Sequence, residues 1–191
     1  MKLFCLIIAF FVLTSSVAEI SAQQSDRDRG IDLYKQGKDA QAIAVLEKVA
    51  KQKEFNDDSE IWNFLGLSYI NSDDSKKAQK ALEKAVKLQP ENSIYRANLA
   101  YVYLLTRKID KSQNEAEKAL QLDANNVFAY YLIGTMNLWE GKLDDALTNV
   151  EKIFPINIGF AQAYMLKSDV LIATLGNVFR AAQVSRKRSN F

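Results

Sequence analysis

Four small residues recur at intervals of 34 positions along this chain: Gly66, Ala100, Gly134 and Ser168. Each lies inside a segment whose apolar residues follow the period of an α-helix. A fixed period of this length indicates a repeat architecture, in which short structural units stack on one another. The sequence therefore predicts an all-α protein built from a row of two-helix hairpins.

The residues around each small residue repeat in the same register. In the best-preserved copy, Leu65 and Tyr69 lie four positions apart and so share one face of the first helix. Ala78, Leu82 and Ala85 form the matching stripe of the second helix. Pro90 cannot continue a helix and is predicted to mark the step to the next unit. The small residue lets the two helices of one hairpin approach closely, because a larger side chain would overpack the contact.

The stretch from Trp62 to Tyr69, with the stripe and Pro90 after it, resembles the tetratricopeptide repeat, a two-helix unit of 34 residues. A less regular copy precedes it, in which Gly30 lies 36 residues before Gly66 and two extra residues are expected between Glu54 and Asp58. The resemblance implies a right-handed superhelical solenoid of antiparallel helix pairs. We expect four to five repeats over residues 23–191, at about 23–58, 59–92, 93–126, 127–160 and 161–191.

The last of these copies departs from the pattern. Lys167 occupies a slot that is apolar elsewhere, and Arg180 occupies a small-residue slot. Polar residues are expected in a capping repeat, because no neighbour covers its outer face. The alternative interpretation is that the chain is a fragment of a longer array.

The N-terminus is predicted to be a secretory signal peptide over residues 1–22. Lys2 is followed by an apolar run from Leu3 to Leu13 and then by the small-x-small sequence Ser16-Val17-Ala18. An uncleaved membrane anchor is the alternative, although the apolar run is shorter than the roughly 20 residues of a membrane span. We therefore expect an exported protein, periplasmic or secreted, with a bacterial cell envelope favoured. Cys5 is the only cysteine, so cleavage leaves no thiol for a disulfide.

The composition argues against catalysis. The chain has no histidine and only one cysteine, which removes the commonest general base and the commonest zinc ligands. No glycine-rich phosphate loop is present. The acidic pairs Asp57-Asp58, Asp73-Asp74 and Asp144-Asp145 are predicted to lie at turns or helix starts, where aspartate accepts hydrogen bonds from free backbone N–H groups. We expect no enzyme activity, no cofactor, no metal site and no small-molecule substrate.

The charge pattern bears on the kind of partner. The net charge of +2 is too small for a nucleic-acid footprint, so no nucleic acid is expected. From Lys152 onward, however, the chain carries six Lys or Arg residues and one acid, Asp169. This basic end is interpreted as a solvated helix terminus, with an anionic lipid or an acidic partner as the alternative. Membrane contact is expected only through the N-terminal segment or this basic tail.

The resemblance to tetratricopeptide repeats implies a concave groove lined by the first helices of the pairs. The residues carried over to that groove are mostly apolar or aromatic, which favours a hydrophobic peptide or an amphipathic helix over a clamp for a peptide carboxylate. The alternative is that they pack as core between neighbouring first helices. The candidate groove residues are Asn63, Leu67, Ile70, Ala97, Tyr101, Leu104, Leu105, Phe128, Tyr131, Thr135, Leu138, Trp139, Met165, Asp169 and Ile172.

The sequence thus predicts an exported adaptor or scaffold that binds a protein or peptide partner in this groove. Two other functions stay open. One is a structural module that self-assembles within a cell-envelope complex. The other is a carrier of lipid or another hydrophobic ligand that uses the same groove.

Overall fold

The computed structural model describes the backbone of residues 26–188 and the side chains of residues 26–180. The predicted signal peptide at residues 1–22 lies outside these residues. All regular secondary structure in the described part is helical, which confirms the all-α prediction. The helices are α1 (26–35), α2 (Asp39–Ala50), α3 (Ser59–Asn71), α4 (Ser75–Leu88), α5 (Ser93–Leu105), α6 (Ile109–Leu122), α7 (Val127–Trp139), α8 (Leu143–Glu151) and α9 (Ala161–Arg188).

Helices adjacent in sequence pack in pairs, and the chain divides after Pro90 into two compact units. The first unit contains α1 to α4, and the second contains α5 to α9. Such a division is natural in a repeat protein, because each repeat contacts only its neighbours and no single central core forms. None of the helices in residues 26–188 is long and apolar enough to cross a membrane.

The first helices of three successive pairs begin at side-chain caps that repeat every 34 residues. Asp58 accepts hydrogen bonds from the backbone N–H groups of Glu60 and Ile61 at the start of α3. Asn92 caps α5 in the same way, and Asn126 caps α7 by accepting from the N–H group of Ala129. Each cap satisfies N–H groups that have no partner within the helix, which stabilises the helix by about 1 kcal/mol.

The acidic pairs follow this capping role in two of three cases. Asp58 caps α3, and Asp74 caps α4 by accepting from the N–H of Lys77. Asp144 and Asp145 lie in the first turn of α8, where no side chain caps the helix. There the two carboxylates still interact favourably with the positive end of the helix dipole.

The small residues of the repeat lie where the two helices of a pair approach closely. A Cβ atom added at Gly66 on α3 would come within 2.5 Å of Leu82 Cγ on α4. A Cβ added at Gly134 on α7 would lie 3.4 Å from the carbonyl oxygen of Ala146 on α8. In the intervening pair, Ser112 occupies the alanine slot of α6 and donates a 2.8 Å hydrogen bond to the Ala100 carbonyl. The hydroxyl is thus satisfied in a fully buried contact.

The first unit buries its apolar stripes between α1, α2, α3 and α4. Gly30 contacts Leu46 as Gly66 contacts Leu82, so the less regular first copy has the same packing. The two extra residues of this copy lie between α2 and α3, where residues 51–58 form a longer connection than the four residues that join α4 to α5. An insertion there leaves the helix contacts unchanged, because connecting segments lie at the surface.

The second unit contains two adjoining apolar clusters. One lies between α5, α6 and α7, and it includes Ala100, Ala116, Leu132 and Met136. The other joins α7 and α8 to the first part of α9. The buried members of the second cluster are Ala146, Val150, Ile153, Ala163, Leu166 and Val170.

The last copy is a single continuous helix and not a pair. Helix α9 has 28 residues, whereas α3, α5 and α7 each have 13. Only one side of α9 is buried, through Ala163, Leu166 and Val170. The exposed side of α9 carries large apolar residues as far as Phe179, together with the polar residues Ser168, Asp169 and Asn177.

Candidate protein-interaction surface

Four aromatic rings form a continuous row on the second unit. Tyr101 on α5 meets Phe128 on α7 edge-to-face, with ring centroids 5.4 Å apart. Phe128 stacks on Tyr131 at 6.1 Å, and Tyr131 meets Phe160 edge-to-face at 5.8 Å. These are the offset and T-shaped geometries that the ring quadrupoles favour. We call these four residues the aromatic surface.

Helix periodicity places the rings together. Phe128 and Tyr131 are three residues apart and so lie on one face of α7. Tyr101 projects from α5 in the preceding pair, and Phe160 directly precedes α9. The rings pack on the two apolar clusters of the second unit, and Tyr131 contacts both. The aromatic surface is therefore held in place by the core beneath it.

The rings of α5 and α7 are only half-buried, and two exposed apolar residues stand at the ends of the same helices. Leu105 is 46% exposed at the end of α5, and Trp139 is 49% exposed at the end of α7. Arg107 lies over the Trp139 ring with its guanidinium carbon 4.4 Å from the ring centroid, a cation–π contact. Leu105 lies one helical turn after Tyr101, and Trp139 lies about two turns after Tyr131. The two residues therefore extend the apolar area along their helices.

The Tyr101 hydroxyl of this surface remains neutral at physiological pH. Burial, and secondarily the charge of the neighbouring Tyr131, raises the pKa of the Tyr101 hydroxyl above its usual value. A neutral phenol both donates and accepts a hydrogen bond. The row thus offers apolar ring faces together with polar hydroxyl tips, a combination enriched at protein interfaces.

The candidate groove residues differ in exposure. Those of the first unit are Asn63, Leu67 and Ile70, and the others belong to the second unit. The side chain of Asn63 is buried in the first unit, and those of Ala97 and Leu104 are buried in the cluster on which the aromatic surface packs. The half-buried ones are Leu67, Ile70, Tyr101, Phe128, Tyr131, Thr135 and Leu138, and the exposed ones are Leu105, Trp139, Met165, Asp169 and Ile172.

The structure brings the candidates of α5 and α7 together but leaves their binding role a prediction. Tyr101, Tyr131, Leu138 and Trp139 are all at least partly accessible. Leu138 packs against the cluster shared with α8 and α9. The hydroxyl of Thr135 donates a 2.8 Å hydrogen bond to the Tyr131 carbonyl, so its donor is used within α7 itself.

Sequence reasoning missed Phe160. The residue lies in the connection before α9, outside the first-helix positions from which the groove was assigned. Its sequence signal is an aromatic residue directly before a helix start, where apolar residues often pack back onto the helix. In the structure its ring completes the aromatic surface beside Tyr131.

A cleft in the first unit was also missed. It has a volume of about 250 Å³ and lies between α2, α3 and α4. Trp62 and Tyr69, which the sequence assigned only to hairpin packing, form its wall, and Tyr69 donates a hydrogen bond to Glu47. The rim carries Lys51, Lys77 and Lys80. The cleft therefore combines apolar walls with a mainly cationic rim.

The paired helices and their repeating small residues define a helical-repeat protein. The model of the tetratricopeptide repeat matches residues 59–92 and 95–126. The chain therefore contains tetratricopeptide repeats, which confirms the resemblance inferred from its residues. Among curated protein sequences, none matches the chain.

Known structures with the same fold include other proteins of this class. A crystal structure of MamA superposes with a TM-score of 0.66 at 23% identity, covering 87% of this chain and 88% of that one. The tetratricopeptide-repeat domain of Arabidopsis OM64 has a TM-score of 0.56 at 21% identity, covering 59% of this chain and 93% of the domain. The first such domain of RPAP3, bound to an HSP90 peptide, has a TM-score of 0.57 at 18% identity, covering 61% and 95%. At these identities the likeness shows a shared fold.

Proposed function

We propose that this protein is an exported adaptor that captures a hydrophobic peptide or an amphipathic helix on its aromatic surface. The observation that carries the proposal is the row of Tyr101, Phe128, Tyr131 and Phe160 on a rigid helical scaffold. The coarser role, protein–protein interaction, is common among tetratricopeptide-repeat proteins, and the RPAP3 domain is one with a bound peptide.

The chemistry of the surface favours an apolar ligand. Aromatic side chains bury a large area with few rotatable bonds, so they anchor an interface at low entropic cost. Leu105 and Trp139 add exposed apolar area at the ends of α5 and α7. An amphipathic helix offers apolar residues at positions i, i+3, i+4 and i+7, which is the pattern that such a surface receives.

The binding test uses the two exposed residues, because Tyr131 and Leu138 also support the core. Replacing both Leu105 and Trp139 by Ser should weaken binding of a fluorescent amphipathic peptide, with leucine at i, i+3, i+4 and i+7, by about tenfold or more. Fluorescence anisotropy measures the affinity, and circular dichroism checks that the variant keeps its helicity.

The matched control is Leu122→Ser on α6, which removes an apolar side chain of similar exposure, 43%, from a second helix of a pair. This variant should bind as the wild type does. Equal binding of the peptide and of a scrambled version without an apolar face would contradict the proposal. So would unchanged affinity in the Leu105 and Trp139 variant.

The export part of the proposal rests on the apolar run from Leu3 to Leu13 and the small residues after it. Protein recovered from outside the cytoplasm should begin near Glu19 or Gln23. Mass spectrometry of the N-terminus decides this. Soluble cytoplasmic protein that keeps Met1 to Leu13 would refute export without affecting the proposed peptide binding.

A further inference from the structure

Among the described residues, α9 has no partner helix of the kind that packs on every earlier first helix. In those pairs the small residue is buried by the second helix, as Gly66, Ala100 and Gly134 show. The equivalent Ser168 of α9 is exposed. Within residues 26–188, no second helix follows α9, so the face that is covered in the other repeats is open.

The turns within the earlier pairs share one repeating position, and α9 continues as a helix through it. The turn between the two helices of each pair contains one residue with positive φ: Gly37 (71°), Asp73 (59°), Arg107 (58°) and Gly141 (76°). Their spacing is 36, 34 and 34 residues, which places the next position at Leu175. Arg107 shows that a residue with a long side chain can adopt this conformation, so Leu at position 175 does not by itself exclude a turn. Helix α9 continues through this position.

The open face is apolar and follows a 3–4 spacing. Met165, Ser168, Ile172, Leu175 and Phe179 lie three and four residues apart in alternation, which is the seam spacing of two packed helices. The large apolar side chains along this face are 45–69% exposed: Tyr164, Met165, Leu171, Ile172, Leu175, Val178 and Phe179.

The exposed area of these seven side chains is roughly 700–800 Å², close to the ~800 Å² that each partner buries in a standard interface. An exposed apolar patch of this size marks an interaction site. The opposite side of α9 is already buried in the second unit through Ala163, Leu166 and Val170. An incoming partner can therefore occupy the open face without displacing core contacts.

We propose that this open face binds the same face of a second copy of the chain, with the two α9 helices antiparallel. The two-fold axis passes beside Ile172, so Ile172 of one copy packs against Ile172 of the other. Met165 then lies opposite Phe179 of the second copy, and Leu175 packs over the small Ser168. Each copy supplies the helix that the other lacks, and the contact is self-complementary, as a two-fold interface requires.

Charge decides the direction of the pairing. The sequence places Arg180, Arg186, Lys187 and Arg188 at the C-terminal end of α9, with no acidic residue after Asp169. A parallel pair would bring the two basic ends together, whereas an antiparallel pair separates them by the length of the helix. Asp169 then lies near the second copy's Gly176 and not near another carboxylate.

The pairing is independent of peptide capture by α5 and α7, and its test is the oligomeric state. Sedimentation velocity should show a dimer at micromolar concentration. The sample is the protein as purified from cells, after any N-terminal processing. Ile172→Lys places two cations face to face at the axis and should raise the dimer dissociation constant at least about 100-fold. The control Ile158→Lys, at a residue 73% exposed outside α9, should leave dimerisation unchanged, as should the Leu105 and Trp139 variant.

Cysteine cross-linking tests the direction. In a Cys5→Ser background, Met165→Cys mixed with Phe179→Cys should form a disulfide-linked dimer under mild oxidation, and Ile172→Cys should cross-link to itself. Efficient cross-linking of Met165→Cys to itself would indicate a parallel pair and overturn the proposed geometry. A wild-type monomer at about 100 µM would overturn the proposal itself. A monomer that cosediments with vesicles of anionic phospholipid would assign the α9 face to a membrane surface instead.

Discussion

Replacing Glu115 by Ala should lower the free energy of unfolding by about 3 kcal/mol, the low end of the range for breaking a buried ion pair. Arg96 on α5 occupies the slot that Trp62 fills one repeat earlier. Its guanidinium Nη1 lies 2.6 Å from Glu115 Oε2 on α6, and the two side chains are only 16% and 14% exposed. Loss of the carboxylate would remove the anion that faces this cation inside the helix pair. Urea denaturation measures the change.

Two comparisons distinguish the buried pair from surface charge. Replacing Arg96 and Glu115 together by Leu should restore most of the lost stability, because apolar residues of similar size can substitute for a buried ion pair. The Lys142–Glu140 pair has a similar distance, 2.7 Å, but is far more exposed. Glu140→Ala should therefore have no measurable effect. Equal losses from Glu115→Ala and Glu140→Ala would contradict this account.

Gly66→Leu should destabilise the protein by a similar amount, about 3 kcal/mol, the upper end of the range for overpacking. The space beside Gly66 is already filled, since an added Cβ would lie 2.5 Å from Leu82 Cγ and 3.4 Å from the Ala78 carbonyl oxygen. The two helices must therefore separate to admit a larger side chain. The shift of the urea midpoint at constant slope gives the change in stability.

Gly176→Leu is the matched control for this prediction. Gly176 lies within α9, and within one copy of the chain an added Cβ has no atom within 4 Å, so the same substitution meets open space when it is measured on the monomer at low concentration. Leu also has a higher helix propensity than Gly, by somewhat less than about 1 kcal/mol. The control should be as stable as the wild type or more so. A Gly66→Leu variant with unchanged stability would show that the register of the helix pairs is wrong.

The aromatic surface was predictable only in part. Tyr101, Phe128 and Tyr131 follow from the resemblance to tetratricopeptide repeats, which implies that these positions of the first helices line a groove. Their exposure does not follow from the sequence. Ala97 and Leu104 belong to the same predicted groove, yet they are buried, since the second helix of the pair and the next first helix cover them. The position of the Phe160 ring depends on the conformation of the connection before α9, which the 34-residue repeat does not predict.

By itself, the sequence determined the all-helical class, the repeat length and the residue at which the two helices of each pair approach most closely. Small residues every 34 positions indicate where the two helices of each pair can pack closely. Gly66, Ala100 and Gly134 are therefore assigned to these contacts from the sequence alone. The tertiary structure decided which apolar residues are covered. Burial depends on whether a neighbouring helix is present, and α9 continues as a helix through Leu175, where the earlier copies turn. Positions that lie in the turn or the second helix of the earlier copies therefore belong to an open apolar face on α9.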